Sequence, residues 1–199
     1  EEEVAVMAFN SIGSDVAVRE YCDFLEINKS HWLIREIILY WTRVLKRVDL
    51  TSKTIITKIE PGSCFVGFLA ELVFAADRSF MAEGVFDGKN SSEASLLLTS
   101  ANFGRHPMSN QLSRLGTRFL SDTSWEKTLK QNIGIDLKAE AADALGLITA
   151  IYDEIDWEEE IRLFVEERVS FSPDALTGLE ANTRFAGPET METKIFGRL

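Results

Sequence analysis

The sequence is short of cations, cysteine, histidine and proline. Against 32 Asp and Glu stand 21 Lys and Arg, a formal charge of −11 over 199 residues. A nucleic-acid partner is bound through clustered Lys and Arg that displace counterions, so this balance argues against one. It argues equally against an anionic membrane surface. The two cysteines, Cys22 and Cys64, are too few for a disulfide framework. Neither stands at metal-ligand spacing from His31 or His106, and no metal is expected. Both thiols read as small buried side chains, and a reducing cytoplasm is the expected setting. No apolar run approaches the roughly 18–20 residues of a bilayer span, and no signal-peptide pattern opens the chain. Internal repeats and low-complexity tracts are missing as well.

Apolar residues make up 45% of the chain, enough for one well-buried core. The reading is a single α/β module over 1–199, with a core to about 155 and a helical C-terminal part over 156–199. Its centre is the stretch 54–77. The β-branched run Thr54-Ile55-Ile56-Thr57-Lys58 has the composition of a buried strand. Pro61-Gly62-Ser63 breaks it, and 67–76 reads as an apolar helix. A strand, a turn and a helix N-terminus present unpaired backbone N–H groups, so the turn between Pro61 and Glu71 is expected to face a cavity.

Upstream, 4–9 reads as a short strand and 16–48 as helical. Apolar residues at 33, 34, 37, 38 and 41 repeat as one buried helix face, with Trp32, Tyr40 and Trp41 assigned to the core. Downstream, short strands are expected at 78–82 and 96–99 and a turn-rich loop at 87–92. Helices are expected at 109–120, 124–132, 138–145, 156–169 and 174–184, with Ser124 as an N-cap. Asp156-Trp157-Glu158-Glu159-Glu160 places carboxylates in a helix first turn, where the dipole favours them. His106 reads as a turn residue.

Gly67 to Asp77, with Glu71-Leu72 and the closing Ala75-Ala76-Asp77, resembles the signature of the crotonase (enoyl-CoA hydratase/isomerase) superfamily. Two further blocks follow in that family's order. One is Asn102-Phe103-Gly104-Arg105-His106-Pro107 with Gln111-Leu112-Ser113-Arg114-Leu115, similar to its turn and Arg-Leu helix. The other runs from Ile135 to Ile148. Ile59-Glu60-Pro61-Gly62-Ser63-Cys64-Phe65, Ser170-Phe171-Ser172-Pro173 and Gly187-Pro188-Glu189-Thr190 narrow the resemblance to the second half of the benzoyl-CoA-dihydrodiol lyases.

The resemblance implies a crotonase-like (ClpP/crotonase) fold with short strands and a helical C-terminal part, here incomplete. It implies an acyl-CoA thioester substrate, no separate cofactor, a homo-oligomer, and a missing N-terminal crotonase module as partner. The implied reaction opens the ring of 2,3-dihydro-2,3-dihydroxybenzoyl-CoA. A plain enoyl-CoA hydratase or isomerase, and a non-catalytic packing half, are the alternatives. Residue by residue, Gly67-Phe68 fall on the glycine pair of the helix start, which makes the Phe68 N–H the second of the two donors that hold the thioester oxygen. Glu71 falls on the first catalytic carboxylate and Ser100 on the second. Ser11-Ile12-Gly13-Ser14-Asp15 is the nearest match to the other oxyanion turn. Phenylalanine for glycine at 68 and serine for a carboxylate at 100 depart from the catalytic pattern.

Overall fold

Thr54–Ile59 is buried on both faces at every position but Lys58, because β-branched side chains fill it. In the computed structural model, which describes residues 4–86, 92–185 and 189–196, this segment is β2 of a four-stranded parallel sheet. It pairs on one side with β1 (Val6–Asn10) and on the other with β3 (Arg78–Ala82). β6 (Ala150–Tyr152) adds to the far side of β3, giving the order β1-β2-β3-β6. A second, antiparallel pair joins β4 (Leu96–Leu97) to β5 (Asp136–Leu137). β5 and β6 have no counterpart in the sequence reading. Two- and three-residue strands are too short for an alternation to register.

Parallel neighbours need crossover helices, and these supply the second layer. The helical stretch after β1 is two helices, α1 (Asp15–Ile27) and α2 (Trp32–Asp49). Ser14 caps the first through the Ala17 N–H, and His31 Nδ1 caps the second through the Leu33 N–H. α2 buries Ile34, Ile38, Thr42, Leu45 and Asp49, a stripe spaced by three and four residues. Of the expected face, Ile34 and Ile38 are buried, Ile37 packs beside them and Trp41 turns inward onto Phe68, while Leu33, Trp32 and Tyr40 are exposed. Hydropathy counted the aromatics as core, whereas the buried stripe is set by the aliphatic and small residues.

α3 (Ala70–Ala75) crosses from β2 to β3. α4 (Arg114–Arg118) is far shorter than the expected 109–120, since 103–113 is an irregular loop closed by Met108 N–H on Leu112 C=O. α5 (Trp125–Lys130), α6 (Ala139–Ala144), α7 (Trp157–Val169) and α8 (Pro173–Thr183) lie near their expected places, and α9 (Met191–Phe196) follows. Ser124 precedes α5 without capping it, because its hydroxyl donates to Asp122. The expected loop at 87–92 lies, but for Ser92, outside the described residues. One hydrophobic core joins the sheet, α3, α6 and α7.

Candidate functional site

The turn from β2 to α3 is built in two steps. Glu60-Pro61-Gly62-Ser63 forms a tight turn with Ser63 N–H on Glu60 C=O, and Gly62 takes the left-handed φ of 84° that the turn requires. Phe65 and Val66 then run beside β4, and the chain doubles back at Gly67, whose φ is 54°. β2 ends at Ile59 and α3 starts at Ala70, so the strand-to-helix turn stands where the sequence placed it. A cavity does not. The hollow against Phe68, lined by Cys22, Ile38, Arg105 and His106, is about 20 Å³, room for one water. Phe68 fills the rest, edge-on to Tyr21 and packed on Trp41 with ring centroids 4.2 Å apart.

Three backbone donors of this region, on Phe68, Gly13 and Cys64, are already engaged. The Phe68 N–H faces the sulfur of Cys22, which partly offsets the upward push of burial on that thiol. A Cβ at Gly67 would strike the same sulfur, so Cys22 sits directly on the turn. In the Ser11–Asp15 segment, the Gly13 N–H is bound to Gly62 C=O at 3.2 Å, and Ser11 Oγ accepts from the Cys64 N–H at 3.0 Å. These two bonds bring the loop after β1 against the turn after β2, so both segments expected to form an oxyanion site are neighbours.

Glu71, on the first turn of α3, is 2% exposed. Its Oε1 accepts from Asn102 Nδ2 at 2.7 Å and its Oε2 from Arg114 Nη1 at 2.8 Å. Arg114 is itself buried and forks onto Asp49, with Nε–Oδ1 at 3.0 Å and Nη2–Oδ2 at 2.7 Å. Asn102 also donates to Gly67 C=O at 2.8 Å, tying the network to the turn. One guanidinium thus serves two carboxylates. Burial pushes both Glu71 and Asp49 upward, and Arg114 opposes the shift in each. Arg114 Nη1 reaches the His106 C=O as well, while His106 Nδ1 meets the Thr42 hydroxyl at 2.9 Å.

Ser100 is exposed and opens a 3₁₀ turn, Ser100–Asn102, whose last residue touches Glu71. The structure therefore brings Gly67, Phe68, Glu71 and the Ser100 segment to one place. The residues that sequence reasoning missed are Asp49, Asn102 and Cys22. Asp49 read as a helix end, and nothing in its neighbourhood signals a partner 65 residues away; Asn102 was visible only as part of a block. Among the described residues, no three His, Cys, Asp or Glu side chains converge as metal ligands do, and no helix is long and apolar enough to cross a membrane.

No family model matches the chain. Among curated proteins it is 43% identical over 197 residues to the benzoyl-CoA-dihydrodiol lyase of Aromatoleum evansii, covering 99% of this chain and 35% of the relative. The chain thus spans about a third of that protein's length. Among solved structures, an enoyl-CoA hydratase from Bacillus anthracis superposes with a TM-score of 0.64 at 17% identity, over all of this chain and 71% of the other. One from Bacillus halodurans gives 0.60 at 14% identity, over 90% and 68%. The chain has the crotonase fold, and over nearly its whole length it resembles part of a benzoyl-CoA-dihydrodiol lyase.

Proposed function

We propose that the chain is part of an acyl-CoA lyase that opens the ring of a dihydrodiol benzoyl-CoA thioester, and that within it this module packs rather than reacts. The 43% identity to the lyase supports the first statement. The second rests on the closed turn: Cys22 covers Gly67, Phe68 fills the space beside it, and Glu71 is locked to Arg114 and Asn102. An oxyanion site needs donors aimed at an accessible oxygen, and acid–base work needs a group that can reach substrate. Ser100 has no activating partner in the described contacts and supplies neither an acid nor a base at neutral pH. The remaining catalytic parts then belong to another module of a longer, cytoplasmic enzyme, which would also be this module's packing partner.

Two measurements test it. Calorimetric titration of the chain with benzoyl-CoA should give no saturable heat, and a formate-release assay with the dihydrodiol thioester no turnover. Glu71→Gln should lower stability by about 1–3 kcal/mol, because an amide replaces the charged acceptor of Arg114 Nη1 and Asn102 while Asp49 still neutralises the guanidinium. Turnover by the chain that the same substitution abolishes at unchanged fold would make Glu71 the catalytic base and end the packing reading.

A further inference from the structure

At the other end of α3 from the turn lies a cavity of about 390 Å³, where α3, α4, α7 and α8 come together. Arg78, Arg118, Arg168 and Arg184 line it, together with Asp77 and Glu180. Four cations around one hollow are conspicuous in a chain of net charge −11. Arg184 is committed to the protein: its Nη2 holds both Asp77 Oδ2 at 2.9 Å and Glu180 Oε2 at 2.5 Å. Those two acids are thereby spent. Arg118 donates its Nε to Gly146 C=O at 2.7 Å, and burial alone presses on its charge. Arg168 lies over the rings of Phe164 and Phe171, and Arg78 over Phe164. Among the described residues no carboxylate pairs with Arg78, Arg118 or Arg168, and the buried Nε groups of Arg168 and Arg184 have no acceptor.

We infer that this cavity is a binding site for a tetrahedral oxyanion, a free phosphate or the phosphoryl group of a small phosphomonoester. Guanidinium forks match such oxygens two at a time, and a cavity with a surplus of like charge concentrates the opposite one. The helix C-termini that face the hollow oppose an anion: α3 and α4, six and five residues long, carry little dipole, whereas α7 and α8, thirteen and eleven residues long, also end here. Three arginines without carboxylates outweigh them. The volume exceeds that of a bare phosphate, which leaves room for a short organic group. This site is independent of the reading of the Gly67 turn.

Thermal unfolding and calorimetry of the chain test it, with sodium phosphate, glycerol phosphate, sulfate and acetate at matched ionic strength. Phosphate or glycerol phosphate should bind at one saturable site and raise Tm by roughly 3–6 °C at a tenfold excess over Kd. Whichever of the two binds more tightly identifies the source. Arg78→Gln, an exposed position that leaves the fold intact, should weaken binding several-fold, and adding Arg118→Gln should abolish it. Arg162→Gln, on the outer face of α7, should change nothing. Equal shifts with acetate, no saturable heat with either phosphate, or undiminished binding in Arg78→Gln would each overturn the site.

Discussion

His106 lies 5% exposed between α2 and α4, and the protonation of its ring follows from its neighbours. The Thr42 hydroxyl, 2.9 Å from Nδ1, donates its hydrogen to Ile38 C=O. Thr42 must then accept, so Nδ1 carries the proton of a neutral ring. Burial, with Arg114 and Arg105 nearby, lowers the ring's pKa to about 4. Between that value and the ordinary 6.5 the unfolded chain binds a proton that the folded chain refuses. Stability therefore falls as pH drops through this window, by on the order of 3 kcal/mol for the whole shift. Glu180 works in the other direction. Burial and Asp77 raise it to about 7, so the folded chain holds a proton there that the unfolded chain has lost, and stability rises as pH drops from 7 toward 4.5. Glu71 and Asp49, also raised by burial, act in the same direction as Glu180, so the wild-type profile sums opposed slopes and a variant isolates one of them. His106→Gln should cost about 1 kcal/mol at pH 7, yet the gap to wild type should close and then reverse toward pH 4. Urea titrations at several pH values read this, and a gap constant with pH would show that the ring titrates alike in the folded and the unfolded chain.

At the scale of an element, the turn into α3 shows what a sequence can and cannot tell. Pro61-Gly62-Ser63 after a β-branched run declares a break, and the break is there. What fills the space beyond the break is set by α1, whose Cys22 comes from 45 residues upstream, and no local pattern carries that. α2 teaches the same lesson in reverse: its period was legible, but which stripe faces inward was decided by Thr42 and Asp49, polar residues buried because His106 and Arg114 await them. Short strands such as β6 gain their place only from the neighbour that pairs with them. The packing of Cys22 on Gly67 yields a coupling that can be measured. Gly67→Ala must hold a Cβ at φ 54°, about 1–2 kcal/mol, and must also displace the Cys22 sulfur. In a Cys22→Ala background the second term vanishes. A double-mutant cycle should give a coupling of at least about 1 kcal/mol, with the pair less destabilised than the sum of the singles. Additive costs would mean that the sulfur yields freely, and that the turn is open enough to admit a ligand.

The whole molecule is held at its far end by one side chain. Arg184, just beyond α8, reaches the loop from α2 to β2 through Asp49 C=O, Thr51 C=O and Lys53 C=O. It also reaches the junction of α3 and β3 through Asp77, whose Oδ2 accepts the Ile55 N–H at 2.7 Å. Glu180, one turn earlier in α8, accepts from the Thr54 hydroxyl at 2.8 Å. The helical part expected over 156–199 therefore does not ride on the surface; its α8 closes the bottom of the sheet. This docking was not legible, because nothing in the sequence sets Glu180 and Arg184 apart from an i, i+4 pair on an exposed helix face. Exposed pairs of that kind contribute a few tenths of a kcal/mol, whereas here both side chains are about 5% exposed. Arg184→Met should accordingly cost about 3–5 kcal/mol, as it leaves Asp77 and Glu180 facing each other without a cation in a buried setting. Adding Glu180→Gln removes that repulsion, keeps an acceptor for Thr54, and should recover part of the loss. The single variant should also be cut by trypsin after Arg168, in the last turn of α7, under conditions where wild type is not, since α8 is released before the sheet unfolds. Equilibrium unfolding in urea and limited proteolysis measure the two effects. A loss below about 1 kcal/mol with unchanged proteolysis would mean that α8 is docked by apolar contacts through Leu176 rather than by this cluster.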